Sequence, residues 1–109
     1  MAITYKTLGQ VIPAATTQTT LYTVPASTSA VASTLSICNV SAVSTTFLVA
    51  IQVAGASLTA KQYIIYDTII AANDTVFLTL GFSLATTDVI SVYAGTATIA
   101  FNLFGSEIA

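Results

Sequence analysis

The amino-acid sequence predicts an all-β fold: an antiparallel two-sheet β-sandwich of about eight strands, with a jelly roll among the arrangements it admits. Three observations lead there. Threonine, valine, isoleucine and tyrosine fill the strand-like segments, and branching at Cβ restricts χ1 in a way that suits a pleated surface. No segment sets apolar residues at i, i+3, i+4 and i+7 against a polar opposite face, so an amphipathic helix has no support. Short apolar runs recur at close spacing between Gly, Pro, Asn and Asp signals, as a sandwich or barrel requires.

The first strand is expected over residues 4–12, because the missing N–H of Pro13 stops a ladder there. The second covers residues 20–24 and closes at Pro25. The third runs over residues 30–40, with Leu35 and Ile37 on one face and Thr34, Ser36 and Cys38 on the other. Residues 41–45 turn the chain. The fourth strand, residues 46–53, puts Phe47, Val49, Ile51 and Val53 on one face, and Gly55 marks the loop after it. The fifth covers residues 62–70. Ala71-Ala72-Asn73-Asp74 then form a turn, since Asn and Asp bond their own backbone and tolerate tight conformations. The sixth strand spans residues 75–80 and ends at Gly81. Ala85-Thr86-Thr87-Asp88 make the next turn. The seventh strand, residues 89–94, ends at Gly95, and the eighth, residues 98–104, ends at Gly105.

A chain of 109 residues is one domain's worth. Residues 1–20 read as an N-terminal strand, or arm, followed by a loop, and residues 21–109 as the sandwich. The segment from Pro13 to Thr20 has no large apolar side chain to give a core. The strand before it alternates poorly. A strand that fits its own sandwich badly is expected to pair with a neighbouring subunit, where it gains a ladder of backbone hydrogen bonds. Tyr5, Leu8, Val11 and Ile12 are therefore the candidate assembly contacts.

Charge excludes several function classes. Only 6% of residues are charged, and the net charge is −2, against about 25% charged residues in an average domain. No basic face exists to neutralise phosphates, so neither nucleic acid nor an anionic membrane is an expected partner. Hydrophobic residues reach 55%, yet the longest apolar runs fall far short of the ~20 residues of a spanning helix. The opening Met1-Ala2-Ile3-Thr4-Tyr5-Lys6 lacks the basic-then-apolar layout of a signal peptide. Cys38 is the one cysteine; it has no disulfide partner and reads as a buried, inert thiol.

The search for reactive groups predicts no catalytic, cofactor-binding or metal-binding residue. The sequence has no histidine, which removes Ser-His-Asp and Cys-His arrangements. Asp74 and Asp88 fall in turn signals that account for them, and four scattered acids make a poor calcium shell. The glycines form no phosphate cradle before a helix. Asn39-Val40-Ser41 and Asn73-Asp74-Thr75 match the glycosylation pattern and read as strand-end or turn polar residues. Tyr63, Tyr66 and Tyr93 could make a sugar platform, but tyrosine is first a strand residue that buries its ring and wets its hydroxyl.

Three stretches carry a resemblance. They are Leu21-Tyr22-Thr23-Val24-Pro25-Ala26; Lys61-Gln62-Tyr63 through Tyr66-Asp67 and on to Val92-Tyr93-Ala94; and Phe101-Asn102-Leu103-Phe104-Gly105-Ser106-Glu107. The middle one includes Ala72-Asn73-Asp74-Thr75, Leu78-Thr79-Leu80-Gly81 and Leu84-Ala85-Thr86-Thr87-Asp88-Val89. Together they resemble small virion structural proteins of tailed bacteriophages, especially those of cyanobacterial and marine phages. The resemblance covers most of the chain from Leu21 onward and consists of strand-and-turn phrases, not a catalytic motif. It implies a non-enzymatic component of a virion assembled in the host cytoplasm. Its expected role is capsid decoration (cement), as a homo-oligomer, with a trimer favoured, against the major capsid protein or other virion proteins. A tail, neck, baseplate or fibre component is the alternative, and a host-carbohydrate-binding module a more distant one.

Overall fold

The structure is a computed structural model that describes residues 2–79 and 81–109. The expected strand end at Leu80 lies outside the described residues, as does Met1. Among the described residues nine strands follow one another: β1 (Ile3–Val11), β2 (Thr19–Thr23), β3 (Ser29–Asn39), β4 (Thr45–Gln52), β5 (Tyr63–Ile70), β6 (Thr75–Leu78), β7 (Phe82–Leu84), β8 (Val89–Ala94) and β9 (Ile99–Ile108). All pairings are antiparallel. One sheet is five-stranded in the order β1-β9-β3-β6, with β7 also paired to β3; the other is four-stranded in the order β2-β8-β4-β5. With β6 and β7 taken as one interrupted strand, this is the strand order of a jelly roll.

The core lies between the sheets. Leu35, Ile37, Ile99, Phe101 and Leu103 face it from the larger sheet; Phe47, Val49, Ile90 and Val92 face it from the smaller. Phe47 and Phe101 meet edge to face across the gap, with ring centroids 6.2 Å apart, an arrangement the ring quadrupoles favour.

Several expectations need correction, and a bulge explains the irregular alternation of the first strand. The pairing of β1 with β9 slips between Thr7 and Gly9. One extra residue there resets the side-chain parity, which is why the segment alternates poorly. Leu8 and Val11 consequently both pack against the core. Residues 3–11 thus form an edge strand of the chain's own sheet. Ile12 lies beyond the strand and is exposed. The same device at Leu21 buries Leu21 and Tyr22 together.

Gly105 does not end the last strand, which continues to Ile108. A Cβ there would collide with the Val31 carbonyl oxygen, and one at Gly9 would collide with that of Leu21; each glycine admits a close backbone approach. Val53 leaves the face of β4 for a short 3-10 turn over Val53–Gly55 and is exposed. The three-residue strand β7 is too short to show a period. Cys38 is partly exposed, because its register opposite Ala100 and Thr75 turns it away from the core.

Polar side chains tie the ends together. Asn39 is 1% exposed, and its amide donates to the carbonyl oxygens of Val43 and Ala71 at 2.9 and 3.1 Å. That commitment closes it to glycosylation in the folded chain. Ala2 and Ala109 exchange two backbone hydrogen bonds of 2.8 and 2.9 Å, so the ends of β1 and β9 lie side by side.

Candidate functional site

The outer face of the five-stranded sheet is built by register alone. In β9 the core-facing residues are Ile99, Phe101 and Leu103, so Ala100, Asn102, Phe104, Ser106 and Ile108 point outward. Their partners on β1 are Gln10, Thr7, Tyr5 and Ile3. Those on β3 are Cys38, Ser36, Thr34, Val31 and Ser29. Phe77 and Thr75 extend the face on β6, and Ser83 extends it on β7.

None of these residues is charged. The lysines and acids of the chain stand elsewhere: Lys61, Asp67, Asp74 and Asp88 in turns, loops or a bulge, and Lys6 and Glu107 on the opposite side of their strands. Three aromatic rings rise from the neutral surface: Tyr5 (82% exposed), Phe77 (65%) and Phe104 (37%). Between them the side chains are mostly serine, threonine, alanine and amides, so the relief is rings over a low floor.

The outer face of the four-stranded sheet is partly covered by its own chain. The loop between β4 and β5 folds back, so that Leu58 and Tyr63 border a small cleft over Leu48, Ala50 and Tyr93. Gln52 anchors this loop by donating to the Ala56 carbonyl oxygen at 2.9 Å and accepting from the Ser91 hydroxyl.

The tyrosines considered as a sugar platform do not make one flat surface. Tyr63 and Tyr66 lie 4.9 Å apart at an interplanar angle of 79°, so the two rings stand nearly perpendicular. Tyr93 is half-buried beside Tyr63.

The polar cluster at one end of the sandwich holds strands together. Glu107 receives the Tyr22 hydroxyl at 2.6 Å and the Lys6 ammonium at 2.9 Å, joining β9 to β2 in the other sheet and to β1. The Tyr22 hydrogen bond, and then Lys6, hold the Glu107 carboxyl below its usual range. Burial, and then the bond to Glu107, push the Tyr22 hydroxyl up. Asp88 is equally committed: Oδ1 accepts from the Ala54 N–H at 2.8 Å and Oδ2 from the Ala85 N–H at 2.9 Å. Among the described residues, no group of three or more His, Cys, Asp and Glu side chains stands close enough to hold a metal ion. No helix of the described residues is long and apolar enough to cross a membrane.

Of the four candidate assembly contacts, the structure places Tyr5 on the neutral outer face, Leu8 and Val11 against the core, and Ile12 beyond the strand. Sequence reasoning missed Phe77 and Phe104 as members of the same surface as Tyr5. The signal lies in strand pairing, which brings together residues far apart in the chain. A scan against protein-family models, a search of curated proteins and a search of solved structures each found no match.

Proposed function

We propose that this chain is a non-enzymatic structural module of a tailed-phage virion, serving as a capsid decoration protein that stabilises the shell through subunit contacts. The observation that carries the assembly part of this reading is the uncharged outer face of the five-stranded sheet, with Tyr5, Phe77 and Phe104 exposed on it. A broad neutral face with exposed rings suits protein contact, since the core of an interface is depleted of charged side chains and enriched in aromatic ones. The commitment of Asp88 and Glu107 to structural bonds, and the absence of histidine from the sequence, leave little for acid–base chemistry. The phage part rests on the resemblance of the strand-and-turn phrases. Jelly rolls also serve in viral capsids, which is analogy at the level of fold.

The partners in this reading are other copies of the chain, with a trimer favoured, and the major capsid protein. A tail, neck, baseplate or fibre position is the second form of the same proposal. Quantitative mass spectrometry of purified virions tests it. Copies in the hundreds per particle support decoration, and a small number set by neck or baseplate symmetry supports the second form. Absence of the chain from the particles overturns both.

A further inference from the structure

We infer that the neutral outer face of the five-stranded sheet is occupied by the same face of a second copy, around a two-fold axis parallel to the strands between β9 and β3. This rests on the assembly reading above and names its first partner.

The argument begins with charge. Every face of another protein that carries charge would have to be desolvated against this surface without a countercharge. A second copy brings none. It also brings the matching relief. A two-fold axis along the strands places β1 over the partner's β7 and β6, and β9 over the partner's β3. By register, Tyr5 shares a row with Ser83, Phe104 with Thr34, and Gln10 with Phe77. Each ring therefore stands over a smaller or flexible side chain of the other copy, and no ring meets its own image. That is the self-complementarity an isologous interface needs.

The size is adequate. Four strand positions at ~4.8 Å spacing, each ~30 Å long, give roughly 600 Å² of flat sheet before side-chain relief is added. Stable interfaces bury about 800 Å² on each partner. The pair adds a sheet-on-sheet contact outside the sandwich, of the kind that already makes its core.

This contact is independent of any that closes a ring of three. If a trimer also forms, two-fold pairs join its members into even-numbered assemblies. Sedimentation equilibrium on the full chain at micromolar concentration reads the outcome. The expected species are a dimer, or a larger even multiple. Ser83→Lys places a charge under the partner's Tyr5 and is expected to weaken pairing by at least about 30-fold. Tyr5→Asp is expected to do the same, and the double variant to restore pairing, since the new charges face each other across the axis. Ser83 and Tyr5 are both exposed, and circular dichroism checks that each variant folds. Should Ser83→Lys fail to fold, Gln10→Lys, opposite the partner's Phe77, asks the same question.

A monomer at these concentrations, a trimer without even species, or pairing indifferent to these substitutions overturns the inference. Its failure is distinct from that of the virion reading. A chain that pairs in solution but is absent from virions leaves the pair standing, and one found in virions but monomeric in solution does the reverse.

Discussion

The Asp88 carboxylate receives the N–H groups of Ala54 and Ala85, from two different loops. Ala54 has a φ of 55°, a left-handed conformation that costs a non-glycine residue energy. The bond to Asp88 holds it there. Asp88→Ala leaves two N–H groups without their partner, and about 3 kcal/mol of stability is expected to be lost. A denaturant titration reads this as a lower midpoint, with Asp88→Asn falling between the variant and the parent. The Tyr22–Glu107–Lys6 cluster sets the pH response. Glu107 has a depressed pKa in the folded state. Its contribution is therefore present above the unfolded carboxylate value and disappears as pH falls through the folded one. Tyr22 is raised from 10.0, so its contribution is present below that pH and fades as pH climbs beyond it. The melting temperature should be flat near neutrality and fall at both ends. Tyr22→Phe should remove the alkaline fall and reduce the acid one, because the tyrosine bond is the larger cause of the Glu107 shift.

At the scale of elements, β1 decides how the chain behaves as a unit. It pairs with β9 from Ile3 to Val11, supplies Leu8 and Val11 to the core, and carries Lys6 to Glu107. Removing residues 1–11 is therefore expected to lower the melting temperature sharply or abolish the cooperative transition, as followed by circular dichroism. Normal melting of the truncated chain would show that the edge strand is dispensable. The same strand shows how far the sequence is legible. In β4 the period of two sends Phe47 and Val49 into the core between the sheets as expected, but Leu48 and Ala50 on the other face are buried too, beside Leu58 and Tyr63. Strand β8 likewise falls over residues 89–94 as its apolar run and flanking turns predict. Where a bulge inserts a residue, the period changes phase and the strand looks irregular although it is fully paired. This happens at Leu8 in β1 and at Ser33 in β3. Glycine was ambiguous for a related reason: as a letter, Gly105 marks an end, and only the neighbouring Val31 carbonyl reveals it as a point of close approach. The neutral face was legible only as composition. The low charge count is plain in the sequence, but the gathering of Tyr5, Phe77 and Phe104 required the order of strands.

For the whole molecule, scarcity of charge predicts that the proposed pairing is insensitive to salt. The sequence holds two lysines and four acids, and the outer face proposed to meet a second copy has none of them. Between low salt and about 0.5 M, the self-association constant should change by less than about twofold, because Debye screening has no ion pair to act on there. Isothermal dilution calorimetry at the two ionic strengths reads this directly. A strong salt dependence would place the contact at Lys6, Lys61 or the acids instead.

The pairing of Ala2 with Ala109 has a consequence for polarity. Because residues 2 and 109 are neighbours in one ladder, a short Gly-Ser bridge can join them. A circular permutant opened within residues 41–44, an exposed turn for the most part, should fold with the same strand-rich circular dichroism and a cooperative melt. Rotation about an axis parallel to the strands preserves their direction. Two copies paired as proposed would therefore gather residues 2 and 109 of both at one pole, and the turns after β3, β5 and β8 at the other. The pair is an object with a head and a foot. Anything fused to either end emerges at a single pole, and the opposite pole, made of tight turns, is left to meet whatever lies beneath.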